Sequence, residues 1–505
     1  VGGCTHLTRG AGAIIAAVVC VLAVVSAAFG VRHAESRGLS ATLTTGFASD
    51  PLLDNPTLIG ISDATQNRWL QRAVTEGAGV VRVDVHWASI APSNPLPGWV
   101  ASNTSSPGYE WAALDKIVRA IASHGLMPLL MLYMAPGWAE GPSIPAGTNP
   151  GTWEPDPTRY AAFATATASR YSGYYPDSVR PGHYLPRVRL WQAWNQPNQA
   201  YYLGPQRTAD GQPNSPNLYR PLLDAFYTAV KAVNPTNFVI SAGTAAYGNA
   251  PNVSPPSAQA MRPLIFYRSL FCVNRALRST PCPGPVYLDA IDHHPYQVLP
   301  PQNGAQHPDD VAVPDVWKVT RLLNAGIRAG HVLPDTHKQV WVEEFSWDTS
   351  PPSANQIAVS PALQACNIEL SDYLLWRQGV STVMFLQLRD WTANTPRTAP
   401  YRWGGMYYTS GAPKPSATAF RFPLVAQRTD VSTVNVWGRS PASGLLIIRH
   451  RTPSGDWSAL SSQHVLAKQV FQTNVRFRGP VYVAASVAGQ SSLPWTSATA
   501  KCLGH

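Results

Sequence analysis

The chain has 505 residues, 45% hydrophobic and only 13% charged, with 17 Trp and 20 Tyr. That composition is globular and aromatic-rich, which excludes a disordered or fibrous chain and gives room for one large domain plus a smaller module. The net charge of +10 comes from scattered Lys and Arg without a basic block; this excludes a nucleic-acid stripe and leaves a solvated surface suited to an acidic polymer or a membrane surface.

Residues from Ala11 to Gly30 are almost purely apolar and follow Arg9. The stretch predicts a secretory signal or an N-terminal anchor; its length favours an anchor, while Ser26-Ala27-Ala28 leaves cleavage open. Either way the N-terminal segment meets a membrane or the export machinery, and the rest of the chain is expected outside the cell or at its surface. Cys4 and Cys20 fall in this leader. Cys272, Cys282, Cys366 and Cys502 allow three pairings in an oxidising compartment, and the short loop makes Cys272–Cys282 the preferred bridge. No pair has zinc-site spacing. No metal and no cofactor are expected, and the chain is expected to be a monomer.

Arg32 to Thr45 reads as a linker, with the first strand region near Leu58 to Ile61. A helix over Thr65–Glu76 stops at Gly77. Val80–Trp87 alternates and is β-branched, hence a strand. The alternation then repeats: helix Asp115–His124, strand Met127–Met134, helix Pro157–Tyr171, strand Val188–Trp194, helix Tyr219–Val233, strand Phe238–Ser241. It continues with helix Met261–Leu270, strand Tyr287–Ile291, helix Val316–Ala329, strand Gln339–Phe345, helix Ala362–Gln378 and strand Thr382–Leu388. Alternating strands and helices in this number predict an α/β fold, a closed (β/α)8 TIM barrel. No glycine-rich phosphate loop follows any strand, which removes the usual reasons for an open sheet. Beyond about Phe420 the pattern changes to short strands separated by Gly, Ser and Pro turns, predicting a small all-β sandwich. The expected organisation is residues 1–45 as signal or anchor with a linker, 46–411 as the barrel and 412–505 as the sandwich.

Two strand ends carry chemistry. Leu190-Trp191-Gln192-Ala193-Trp194-Asn195-Gln196-Pro197-Asn198 is a buried strand that ends in polar groups, with Pro197 stopping the ladder. Val340-Trp341-Val342-Glu343-Glu344-Phe345 ends in two carboxylates. Side chains of adjacent strand residues face opposite ways, so Glu343 is expected to lean towards the barrel wall or a neighbouring Arg.

The first stretch resembles the W-N-E-P-N signature of strand 4 in retaining glycoside hydrolases of the large barrel clan, such as the family 5 and family 39 enzymes. The second resembles that clan's strand 7 pattern. The ordered set adds Arg82-Val83-Asp84, Pro136-Gly137-Trp138-Ala139 and His294-Pro295-Tyr296, and the resemblance covers roughly Gly46 to Phe420. It implies Glu344 as nucleophile, Gln196 at the acid/base position, Asn195 on the sugar 2-hydroxyl, and Tyr296 and Arg82 supporting the nucleophile. It places His294 and Trp138 in the pocket and offers Trp391 as a sugar platform. Such enzymes need two carboxyl groups about 5–5.5 Å apart.

Gln196 departs from the pattern, because an amide has no proton to lose. Three readings follow: an enzyme with reduced hydrolytic power; one with another acid, for which Asp292, His293 and Glu343 are candidates; or a Gln introduced by substitution for a native Glu. The expected function is an exported retaining glycosidase acting on a polysaccharide or glycoconjugate, impaired by Gln196. The alternative is a weakened carbohydrate-binding protein, or a transglycosidase, using the same pocket.

Overall fold

The computed structural model describes residues 39–54, 60–249, 260–349, 358–391, 403–452 and 455–496. The expected leader, Cys502 and the residues Leu58 and Ile59 lie outside these. Among the described residues no helix is long and apolar enough to cross a membrane.

Eight strands of the first sheet form the barrel: β1 (Thr44–Phe47), β2 (Val80–His86), β3 (Met127–Tyr133), β4 (Leu190–Ala193), β5 (Phe238–Ser241), β6 (Ala290–His294), β7 (Gln339–Val342) and β8 (Val380–Phe385), and a short ninth segment, Thr244–Ala245, adds to β6. All neighbours are parallel, in sequence order, and β8 returns to pair with β1. The sheet is therefore a closed barrel without edges. The intervening helices are α1 (Asp63–Thr75), α2 (Ala112–Ser123), α3 (Pro157–Arg170), α4 (Ser215–Val233), α5 (Pro263–Leu270), α6 (Trp317–Arg328) and α7 (Pro361–Arg377); α8 (Pro415–Arg421) follows β8.

Strand β2 shows how the sequence produces this arrangement. Val81, Val83 and Val85 belong to the apolar layer that packs under the helices, whereas Val80 belongs to a separate inner cluster. That inner cluster takes one residue from each strand or its tip: Ala48, Val80, Leu129, Leu190, Ile240, Ala290, Trp341 and Met384. It is the plug of the barrel, and period-2 alternation carries the next inward positions up to the mouth.

Two antiparallel sheets follow. Strands β9 (Leu424–Arg428), β10 (Thr433–Arg439) and β13 (Val470–Arg476) form one; β11 (Gly444–Arg451), β12 (Trp457–Val465) and β14 (Tyr482–Val487), with two short strands, form the other. Alternate residues such as Val434, Val436, Leu446, Ile448, Val483 and Ala485 are buried, giving the expected sandwich. Helix α8 stands ahead of it, so the antiparallel strands begin only at Leu424.

Two element readings need correction. The first strand lies at Thr44–Phe47, partly inside the expected linker. Its sequence, Thr-Thr-Gly-Phe, has little apolar alternation, because at Gly46 a Cβ would overlap the Val80 carbonyl of β2. The sixth strand begins at Ala290 rather than Tyr287. Val286–Tyr287 pairs instead with Val332–Leu333 in a separate two-stranded sheet, and Asp289, which accepts from the Val239 amide and pairs with Lys231, separates the two segments. The Cys272–Cys282 disulfide is present, and Cys366 is also disulfide-bonded.

The sandwich meets the barrel along α7, where Asp372 is fully buried. Arg439 of β10, also fully buried, donates to the Leu43 and Gly77 carbonyls at 2.8 and 3.0 Å. Burial pushes the Asp372 carboxyl up to about 8 despite the attraction of Arg439. The folded chain therefore keeps a proton that the unfolded chain loses near pH 4. Between these values stability falls as pH rises, by about 1.4 kcal/mol per unit, and levels off above the folded pKa. Asp372→Asn removes this slope. The stability of the variant relative to the parent, from urea unfolding, should climb steadily between about pH 5 and about pH 7; parallel curves would count against the assignment.

Candidate active site

Two residues beyond the plug, the inward positions of four strands turn polar: Arg82 on β2, Gln192 on β4, Asp292 on β6 and Glu343 just after β7. One step further lie Asp84 and His294. The strands end at Ala193 and Val342, so the residues after them are released from strict alternation. Trp194 and Gln196 both take positive φ, 74° and 34°, which turns the Asn195–Gln196 segment at the barrel mouth.

Arg82 has no solvent exposure and organises one half of the site. Its Nε donates to Asp84 Oδ1 at 3.0 Å and its Nη1 reaches Glu343 Oε2 at 3.4 Å. Its Nη2 donates to Ser49 Oγ at 2.6 Å and to Glu344 Oε1, and Ser49 Oγ in turn donates to Asp84 Oδ2 at 2.7 Å. Glu343 and Glu344 therefore share one guanidinium, although alternation predicts opposite directions; the ladder has ended before them. The Tyr296 hydroxyl donates to the other oxygen of Glu344, Oε2, at 3.1 Å. Burial would raise the Glu344 pKa, but the Arg82 guanidinium, the neighbouring His294 and the hydrogen bonds from Arg82 and Tyr296 outweigh it and hold the carboxyl at about 2. Glu343 goes the other way. Complete burial and the nearby Asp292 carboxyl push it well above the usual carboxylate range, so it stays protonated one layer below the mouth. Arg82 thus makes one of two adjacent glutamates a permanent anion and leaves the other a neutral acid.

A second polar line crosses from β4 to β6. The Gln196 amide nitrogen lies 2.9 Å from His294 Nδ1, and His294 Nε2 lies 2.9 Å from Asp292 Oδ2. An amide nitrogen only donates, so Nδ1 accepts and the ring carries its proton on Nε2 towards Asp292. Gln192 Nε2 donates to the same carboxylate oxygen at 3.0 Å. His294 Nδ1 is also 3.6 Å from Glu344 Oε2, so the two lines meet there. Gly243 makes the line possible, since a Cβ at that position would overlap both Asp292 Oδ2 and His294 Nε2.

Asn195 is 3% exposed and its Oδ1 has no hydrogen-bond partner among the described residues. A buried acceptor left open at a site mouth is a place for a ligand hydroxyl. His293 points away from the site: its Nδ1 meets Thr244 Oγ1 at 2.9 Å and its Nε2 meets the Val311 carbonyl at 3.0 Å. Burial lowers it to about 3, so it is a neutral packing group and not the alternative acid. Among the described residues Trp138 makes no hydrogen bond to the Glu344 cluster. Its indole donates to the Pro92 carbonyl at 2.8 Å, and it packs edge-on against Trp87 and Trp99. Trp391 is half-buried, with an indole nitrogen that has no partner among the described residues, and the segment after it lies outside them.

Sequence reasoning missed Ser49, Gln192, Gly243 and an aromatic wall. The Tyr133 hydroxyl is 2.7 Å from His86 Nε2, and Tyr202 packs 6.2 Å from Tyr133, ring to ring. Burial, and after it the negative charge of Glu344, keeps the Tyr202 phenol protonated. Counting by twos from Arg82 along β2 would have found His86.

No protein-family model matches this sequence, and no curated protein does. Among solved structures, the chain is similar to a family 39 glycoside hydrolase from the gut symbiont Bacteroides cellulosilyticus WH2, at 18% identity and TM-score 0.49, covering 86% of this chain and 81% of that one. It is similar to a glucosidase from Croceicoccus marinus at 14% identity and TM-score 0.47, covering 88% and 95%. A family 30 endoxylanase from Clostridium papyrosolvens C71 gives 11% identity and TM-score 0.45, covering 87% and 95%. These likenesses are loose, and the barrel rests on the chain's own strand pairing.

Gly243→Ala should force Asp292 or His294 out of line. The expected outcome is a loss of about 1–3 kcal/mol in unfolding free energy, together with a changed His294 ring resonance by NMR. An alanine variant with both unchanged would show that the line does not depend on the missing Cβ.

Proposed function

We propose that the chain has the site of a retaining glycoside hydrolase, with Glu344 as nucleophile and Gln196 at the acid/base position. The observation that carries this reading is the Glu344 carboxylate, held ionised at the barrel mouth by Arg82 and Tyr296, with the Gln196 amide joined to the same cluster through His294.

In the first step the Glu344 carboxylate attacks the anomeric carbon and the glycosidic bond breaks. Asn195 Oδ1 accepts from a sugar hydroxyl. Gln196 can hydrogen-bond the leaving oxygen but cannot protonate it. Glu343 has the right protonation state, but its complete burial keeps it from a leaving group. Good leaving groups therefore depart and sugar alkoxides do not. Water then attacks the glycosyl-enzyme slowly, because Gln196 is no base either. A second reading, sugar binding without turnover, is favoured by the commitment of the Gln196 amide to His294. In either case the ligand is a carbohydrate, met outside the cytoplasm; the Cys272–Cys282 bridge supports an oxidising compartment.

An activated aryl glycoside of the correct sugar should form a glycosyl-enzyme with this chain, detectable by intact mass, and azide should accelerate its release. Gln196→Glu should raise the rate on natural linkages by roughly 10²–10⁴-fold. Glu344→Gln should abolish adduct formation and leave binding. Aryl glycoside cleavage that survives Glu344→Gln would reject the nucleophile. Binding with no adduct from any activated glycoside would select the second reading.

A further inference from the structure

A groove of about 440 Å³ opens between the loops that follow β5 and β6, within the range of roughly 300–1,000 Å³ common to small-molecule sites. Tyr247 and Arg262 come from the first loop; Leu299, Asn303, Gln306 and Asp310 come from the second. Both loops leave the C-terminal ends of barrel strands, so the groove lies on the same rim as Glu344.

Its walls are tied to both halves of the candidate site. Gln199, three residues after Gln196, donates to the Tyr247 carbonyl at 3.0 Å. Trp347, three residues after Glu344, donates to the Leu299 carbonyl at 3.4 Å. Tyr296, whose hydroxyl meets Glu344, immediately precedes Gln297 in the groove lining.

The groove is also preformed. The Val311 amide donates to the Ala246 carbonyl at 3.0 Å, the Gly248 amide donates to Asp310 Oδ1 at 3.3 Å, and Arg262 pairs with Asp310 Oδ2. A Cβ on Gly248 would overlap the Arg262 backbone, which lets the wall close tightly. Gln297 fixes the second loop by accepting from the Val313 amide at 2.8 Å and donating to the Leu299 and Pro300 carbonyls. Little ordering of these described residues remains to be done when a ligand enters.

The lining chemistry selects the ligand. The Arg262 charge is neutralised by Asp310, and His307, which also lines the groove, uses its Nδ1 to accept from the Asp309 amide at 3.1 Å; this disfavours a phosphate or an acidic sugar. The Tyr247 ring and the Val298 and Leu299 side chains are 41%, 45% and 46% exposed, an aromatic and aliphatic surface for the C–H faces of a ring. The exposed amides of Asn303 and Gln306 offer donors and acceptors for hydroxyls. We propose that this groove is a subsite for a second, uncharged sugar residue, so that the protein takes an oligosaccharide or polysaccharide chain and not a lone monosaccharide glycoside. The inference rests on the reading of Glu344 and Gln196 as a glycosidic site.

The test uses the full chain carrying Glu344→Gln, titrated in a calorimeter with glucose-, xylose- and mannose-based oligosaccharides of increasing length. One series should bind more tightly as a chain than as its monosaccharide. Tyr247→Ala and Gln306→Ala, both surface substitutions, should each weaken chain binding by about tenfold. In the Gln196→Glu background they should leave aryl monoglycoside cleavage unchanged. Chain binding insensitive to both substitutions would overturn the subsite while leaving the glycosidic reading intact. Absence of any binding, with no glycoside cleaved by Gln196→Glu, would overturn that reading and the subsite together.

Discussion

A guanidinium with no access to water must be surrounded by acceptors, because an unpaired buried charge costs several kcal/mol. Arg82 imposes this demand at the centre of the barrel. It is met by Asp84 two residues along its own strand, by Glu343 and Glu344 from β7 across the barrel, and by Ser49 after β1. The interior above the apolar plug is polar for this reason. The same demand separates the two glutamates electrically. Glu344 takes the short contact and the added hydroxyl of Tyr296, and it ionises; Glu343, deeper and close to Asp292, keeps its proton. One cation thereby fixes both the geometry and the charge of the candidate nucleophile.

The second polar line explains how Gln196 can sit in so complete a setting. A carboxyl in its place would lie near His294, which itself lies between Asp292 and Glu344. Neighbouring negative charges raise a carboxyl's pKa, which is how a site of this kind keeps a general acid protonated. The amide has nearly the same shape and escapes that electrostatic penalty. It hydrogen-bonds His294 Nδ1 in the manner of a protonated acid and loses only the transferable proton. On the proposed reading, an amide at this position keeps the shape of the acid and loses its proton transfer, so affinity for sugar and turnover of sugar would be separable properties of one pocket.

Much of this architecture was legible because it repeats. Strand and helix alternate, and β2 alone displays apolar Val81, Val83 and Val85 against inward Val80, Arg82 and Asp84. What was hidden depends on contacts that periodicity does not encode. Strand β1 is Thr-Thr-Gly-Phe because Gly46 must clear a neighbouring carbonyl, and that requirement erased its strand signal. Glu343 was expected to lean towards the barrel wall or a neighbouring Arg, and that Arg is Arg82; what alternation did not show is that Glu344 reaches the same guanidinium, because the ladder stops at Val342. Trp138 follows a suggestive Pro-Gly pair, but its indole is satisfied by the Pro92 carbonyl and its ring by Trp87 and Trp99. Gly243 carries no signal of its own; its value lies in the two polar atoms that fill the space of its absent side chain.

The sandwich joins the barrel through contacts at the opposite end from this chemistry. Arg439 donates to the carbonyl of Leu43, just ahead of β1, and to that of Gly77, just ahead of β2. The Val470 amide donates to the Ala41 carbonyl. All three acceptors lie at the N-terminal ends of strands, whereas Gln196, His294 and Glu344 lie at or beyond the C-terminal ends. In barrels of this kind the first face carries stability and the second carries function. Arg439 therefore belongs to the attachment of the sandwich, as does Asp372, buried on α7. The sensitivity of Asp372 to pH reaches the barrel as a change in stability, whereas the charge of Glu344 is set locally, chiefly by Arg82.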